Sequence, residues 1–149
     1  MTTSEKAKKL FENGYNCAQA VLCAFCDQTG MDEKTAYMLA SSFGGGIGRM
    51  REVCGAVSGM AMVAGLLYGY TLDEEPSKKA DHYALIQSLA NKFREENGSI
   101  ICRELLDTKP DTHIPEERTP QYYKKRPCSE LVYCSAKIMQ DYIDKHNSK

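Results

Sequence analysis

A chain of 149 residues can bury one continuous apolar core without disulfide staples, so its seven cysteines need no structural role. Nineteen Lys and Arg against twenty Asp and Glu give a net charge of -1, and no basic block is interleaved with aromatics, which argues against a nucleic-acid partner. The polar, lysine-rich stretch Met1 to Leu10 has no apolar signal region, so the chain reads as cytoplasmic; in that reducing compartment cysteines point to metal binding, catalysis or packing rather than to a disulfide framework.

In chain order, Ser4 to Phe11 suits a short helix stopped by Asn13-Gly14. Asn16 can cap a second helix to about Gln28, with Gln19 completing a capping box and Gly30 as the stop. Asp32 opens a third, to about Phe43. The glycine-rich run from Phe43 to Gly48 is a breaker, and an apolar helix is expected from about Arg49 to Tyr70. Its uncharged stretch Val53 to Tyr70 touches the lower limit for a membrane span, but its glycines and the lack of a second such segment favour a buried central helix.

Pro76 stands where a first helical turn accepts proline, and Tyr83, Ile86, Leu89, Ala90 and Phe93 form one apolar stripe before Asn97-Gly98. Ser99 can cap a short helix to Leu106, and a last helix runs from near Pro127 to about His146. Between them, residues 107–126 carry Pro110, Pro115 and Pro120 and no periodicity, which predicts a long loop. With no strand alternation and no repeat, the expectation is one all-α domain over 1–149, an irregular bundle of about five to seven helices.

These boundaries put Cys17 first, Cys102 third and Cys128 second in their helices, where free N–H groups and the positive end of the helix dipole stabilise a thiolate. Cys54 is expected one to two turns inside its helix, on a ridge of small side chains through Ser58, Ala61, Gly65 and Gly69 that admits a close neighbour, with Gly55 and Gly59 widening the opening. Cys17 shares a stripe with Ala20, Val21, Ala24 and Phe25, and Cys128 shares one with Leu131, Ser135, Met139 and Tyr142. Cys23, Cys26 and Cys134 read as bystanders, small buried hydrophobes as free cysteine often is.

Arg49 and Arg51 after the glycine run can face an anion, but the run lacks the Lys-Ser/Thr ending of a phosphate loop and follows no strand, so a tight bend is the simpler reading. His82 and His146 read as solvated; His113, in the long loop, is the one histidine that can join a cysteine site. The run Tyr122-Tyr123-Lys124-Lys125-Arg126 can raise the potential around Cys128.

Asn16-Cys17-Ala18-Gln19-Ala20-Val21, Gly48-Arg49-Met50 leading to Cys54-Gly55-Ala56-Val57-Ser58-Gly59, Cys102-Arg103-Glu104-Leu105-Leu106 and then Cys128 resemble the C_GCAxxG_C_C family of redox-active proteins over nearly the whole chain. The resemblance implies a four-cysteine redox site and an association with transporter genes. From the residues, the first expectation is a thiol–disulfide oxidoreductase or electron carrier. One of Cys17, Cys102 and Cys128 would attack, Cys54 would resolve, and a redox protein or small thiol would be the partner. The alternatives are a module in which all four thiolates hold zinc or an iron–sulfur cluster, and a non-catalytic partner subunit.

Overall fold

The computed structural model describes residues 1–107 and 112–147. Among them the chain is all-α: α1 (Thr3–Glu12), α2 (Cys17–Ala24), α3 (Cys26–Thr29), α4 (Glu33–Ala40), α5 (Gly55–Tyr68), α6 (Pro76–Asn97), α7 (Cys102–Leu106), α8 (Pro120–Lys125) and α9 (Cys128–Asn147). Six of these nine have seven residues or more, as an irregular bundle of five to seven helices requires. No described helix is long and apolar enough to cross a membrane.

The local signals act as capping chemistry predicts. Asn16 accepts from the Gln19 amide while the Gln19 side chain accepts from the Asn16 amide, a reciprocal capping box that starts α2. Asp32 caps α4 by accepting from the Thr35 amide and hydroxyl, Pro76 opens α6, and Gly98 closes it in the left-handed region. Residues Ala18 to Ala24 are all buried, because α1, α4, α5 and α9 surround α2. The α1–α9 and α2–α5 pairs make the two most extensive contacts, and Phe11, Leu22, Phe25, Met60, Val63, Leu89, Phe93, Val132 and Met139 fill the core. The buried Ser135 hydroxyl donates to the Ala56 carbonyl at 2.7 Å, fixing α9 against α5.

Five expectations are corrected. The second helix is broken at Phe25 into α2 and α3, and the third ends at Ala40 in a 3-10 turn over Ser41–Phe43. The apolar helix begins at Gly55, not Arg49, because residues 51–54 pair with a distant segment. The Cys54 amide donates to the Ile100 carbonyl (2.8 Å), the Cys102 amide to Glu52 (2.6 Å) and the Arg103 amide to Arg51 (3.2 Å), with an isolated bridge between Val53 and Ile101. Backbone groups committed there cannot form helical bonds.

The stretch 107–126, expected as a loop without periodicity, contains α8, which Thr119 caps by accepting from the Tyr122 amide. Pro110 lies outside the described residues. His82 is not simply solvated either: it is half-buried against Tyr70, and its Nδ1 is buried without a partner.

Candidate functional site

The 51–54 pairing changes the position of one cysteine and thereby unifies the set. Cys54 is the N-cap of α5, while Cys17, Cys102 and Cys128 are each the first residue of α2, α7 and α9. All four therefore sit at helix starts, and all four line one cavity of about 60 Å³, together with Phe11, Gly46, Tyr122 and Leu131 among others. That volume admits a few water molecules or the end of a small ligand. Cys23, Cys26 and Cys134 do not line it, and all seven cysteines are free thiols.

Close backbone approach makes the convergence fit. A Cβ on Gly55 would fall 3.1 Å from Cys17 Cβ and 3.0 Å from the Ala18 amide nitrogen, and one on Gly59 would fall 2.9 Å from the Ala18 carbonyl oxygen. The small-residue contact of α5 is thus Gly55–Gly59 against α2; the expected ridge is not the contact, since a Cβ on Gly65 would meet nothing within 4 Å. On the other wall, Gly46 has a positive φ of 72°, and a Cβ there would fall 2.8 Å from Cys102 Cβ.

The four thiols are not equivalent. Cys17 and Cys128 are neighbours on the cavity wall, and the Cys17 thiol, then the charges of Arg126, Arg118 and Arg51, opposed by burial, hold Cys128 below the ordinary thiol value. The proximity of Cys128, then burial, pushes Cys17 well up. Within the pair the negative charge therefore settles on Cys128, at the head of the 20-residue helix α9.

Burial pushes Cys54 up to about 12, against the opposing amides of Ala56 and Val57. Cys102 is also raised by burial, although Arg51 Nη1 donates to its sulfur at 3.6 Å and opposes the shift. A helix as short as α7, five residues, offers little dipole to reverse that. Outside the cavity, burial lifts Cys23 to about 12 and Cys134 to about 11.

One arginine matters that motif reading did not single out. Arg118 stacks over the Phe11 ring at 4.4 Å and donates to the Phe11 and Tyr15 carbonyls, bringing its charge to the cavity wall. Arg51 is only 5 % exposed. The tyrosine-lysine-arginine run acts on Cys128 through Arg126, as expected. His113 lines the neighbouring concavity, not the cysteine cavity. Among the described residues no three His, Cys, Asp or Glu side chains are grouped to hold a metal ion.

A family model described as "Putative redox-active protein (C_GCAxxG_C_C)" matches residues 15–142, a span that includes all four cavity cysteines. No curated protein and no solved structure matches the chain.

Proposed function

Because the chain belongs to the C_GCAxxG_C_C family of redox-active proteins, we propose that it performs thiol–disulfide exchange, with Cys128 as attacking thiolate and Cys17 as resolving thiol. The observation that carries this is that Cys17 and Cys128, each the first residue of its helix, line one cavity and displace each other's thiols in opposite directions. Exchange needs one partner ionised and a second thiol within reach of the mixed disulfide. Cys17 suits the resolving role better than Cys54, because Cys128 is the neighbour that acts on it most strongly and because burial keeps Cys54 protonated. Cys54 and Cys102, in the same walls, are the next thiols to which a disulfide could pass. The protein would work in a reducing, cytoplasmic setting, with a small thiol or a redox protein, transporter-linked or not, as its exchange partner.

Stoichiometric oxidation of the reduced protein with diamide, followed by peptide mapping, tests the reading. The first disulfide to form should join Cys17 to Cys128. Accumulation of any other pair while those two thiols stay free would sink it.

The convergence of four cysteines on one cavity also favours a second reading, four thiolates around zinc or an iron–sulfur cluster. Against it, the cavity side chains are not grouped at ligand spacing among the described residues, so the walls would have to close around the metal. Metal and acid-labile sulfide analysis after anaerobic purification separates the two readings.

A further inference from the structure

Beside the cysteine cavity lies a second chamber of about 400 Å³, a volume within the range of small-molecule sites. The two share Asn16, Gly45, Arg118 and Tyr122 as a common wall. Arg49, Arg51, Arg118 and Arg126 line the second chamber, with Glu116 the only carboxylate among the described residues that line it.

Among the described residues, most of that positive charge has no carboxylate paired with it. Glu116 pairs with Arg126 at 2.6 Å. Arg118 spends its donors on the Phe11 and Tyr15 carbonyls and on the Tyr123 hydroxyl, and Arg49 donates to the Thr112 and Ile114 carbonyls. Those acceptors carry no countercharge.

Arg51 is the sharpest case. It is 5 % exposed, its Nε is buried with no hydrogen-bond partner, and among the described residues it meets no carboxylate. Its Nη1 reaches the Cys102 sulfur, but burial keeps that thiol above its ordinary value, so Cys102 does not supply a full negative charge. A buried guanidinium without a counterion is strongly unfavourable, and a planar donor fork is well matched to a carboxylate. The backbone is held in the left-handed region at both Arg49 (φ 63°) and Arg51 (φ 61°), a strained conformation that packing must maintain.

We propose that the arginine-lined chamber binds a small disulfide whose ends carry carboxylates, and presents its S–S bond across the shared wall to Cys128. The assignment of the substrate as a disulfide rests on the thiol-exchange reading; the assignment of its charge rests on the chamber alone. The Cys128 thiolate attacks one substrate sulfur, the substrate S–S bond breaks, and one thiolate leaves, taking the Cys17 proton. Cys17, now ionised, attacks the Cys128 sulfur and expels the second thiolate. The balance is a dithiol holding one proton plus a disulfide giving a Cys17–Cys128 disulfide, one thiol and one thiolate; two electrons pass from protein to substrate. A dithiol reductant returns the protein to its starting state.

The test compares three small disulfides under single turnover by the pre-reduced protein: 3,3′-dithiodipropionate (anionic), 2-hydroxyethyl disulfide (neutral) and cystamine (cationic). Suberate, the dicarboxylate with carbons in place of the two sulfurs, is titrated separately by calorimetry. At low salt the anionic disulfide should react on the order of tenfold faster than the neutral one, with the cationic one slowest and the ratio shrinking as salt rises. Suberate should bind.

Arg49→Gln and Arg126→Gln should each lower the anionic-to-neutral ratio and weaken suberate binding. The ratio is the readout, since Arg126→Gln also slows every disulfide through Cys128. Equal rates for the three disulfides, or no suberate binding to the wild-type chain, overturns the proposal. Suberate binding that both variants weaken, with no disulfide reduced, leaves the anion chamber standing and removes the thiol-exchange reading instead.

Discussion

Cys17 and Cys128, the first residues of α2 and α9, line the same cavity and act on one another, raising the Cys17 thiol and lowering the Cys128 thiol. A lowered value means that the Cys128 thiolate persists above its own pKa and is lost as pH falls through it. In iodoacetamide labelling read by mass spectrometry, Cys128 should therefore be the fastest of the seven thiols at neutral pH. Cys17→Ala should move its labelling midpoint upward, slowing it at pH 7 by about tenfold for each unit moved. Faster labelling of Cys23 or Cys134 than of Cys128 would contradict this.

Burial of Cys54 has a signature in alkaline stability. Its folded value of about 12 lies above that of an exposed thiol, so the folded state prefers the protonated form. The associated stability is complete below the unfolded value near 9 and is lost as pH rises from there towards about 12. Urea denaturation between pH 8 and 11 should show a falling stability whose slope is shallower in Cys54→Ala, the remaining slope coming from groups such as Cys23.

Three glycines of α5 should respond differently to the same substitution. Alanine normally stabilises a helix interior over glycine by about 0.5–1 kcal/mol, and Gly65→Ala, with open space around the new methyl, should show that gain. Gly59→Ala would press against the Ala18 carbonyl and Val21 Cβ at 2.9 Å and should cost about 1–3 kcal/mol, with Gly55→Ala smaller in effect but in the same direction. Equal urea midpoints for all three variants would refute close contact between α2 and α5.

Asn16 joins the fold to the site, since it caps the helix that begins with Cys17 and its Nδ2 also donates to the Ser41 carbonyl. Asn16→Ala should lower stability by about 1 kcal/mol, as loss of a helix cap does. Asn16→Ser, which restores the capping oxygen but not the tie to Ser41, should recover only part of it, as measured by thermal and urea melts.

Much of this architecture is legible without coordinates wherever a helix end is made by neighbours in the chain. Asn16 with Gln19, Asp32, Pro76 and Gly98 act within three or four residues, so their effect can be read from spacing alone. The start of α5 was not legible. Nothing local in Arg49 to Cys54 announces that its backbone will bond to residues 100–103, and that bonding alone moves Cys54 from mid-helix to the N-cap.

The sequence by itself determined that the chain is helical, where most helices begin, and that Cys17, Cys54, Cys102 and Cys128 are the four to watch. Only the tertiary structure decided that these four line one cavity, that Gly55 lets α2 approach, and that Arg51, Arg118 and Arg126 all bear on the Cys128 sulfur. The division has a physical cause. Helix capping is a short-range bond between near neighbours, whereas the ionisation of a thiol depends on burial and on charges brought from distant parts of the chain, which exist only once the core has packed.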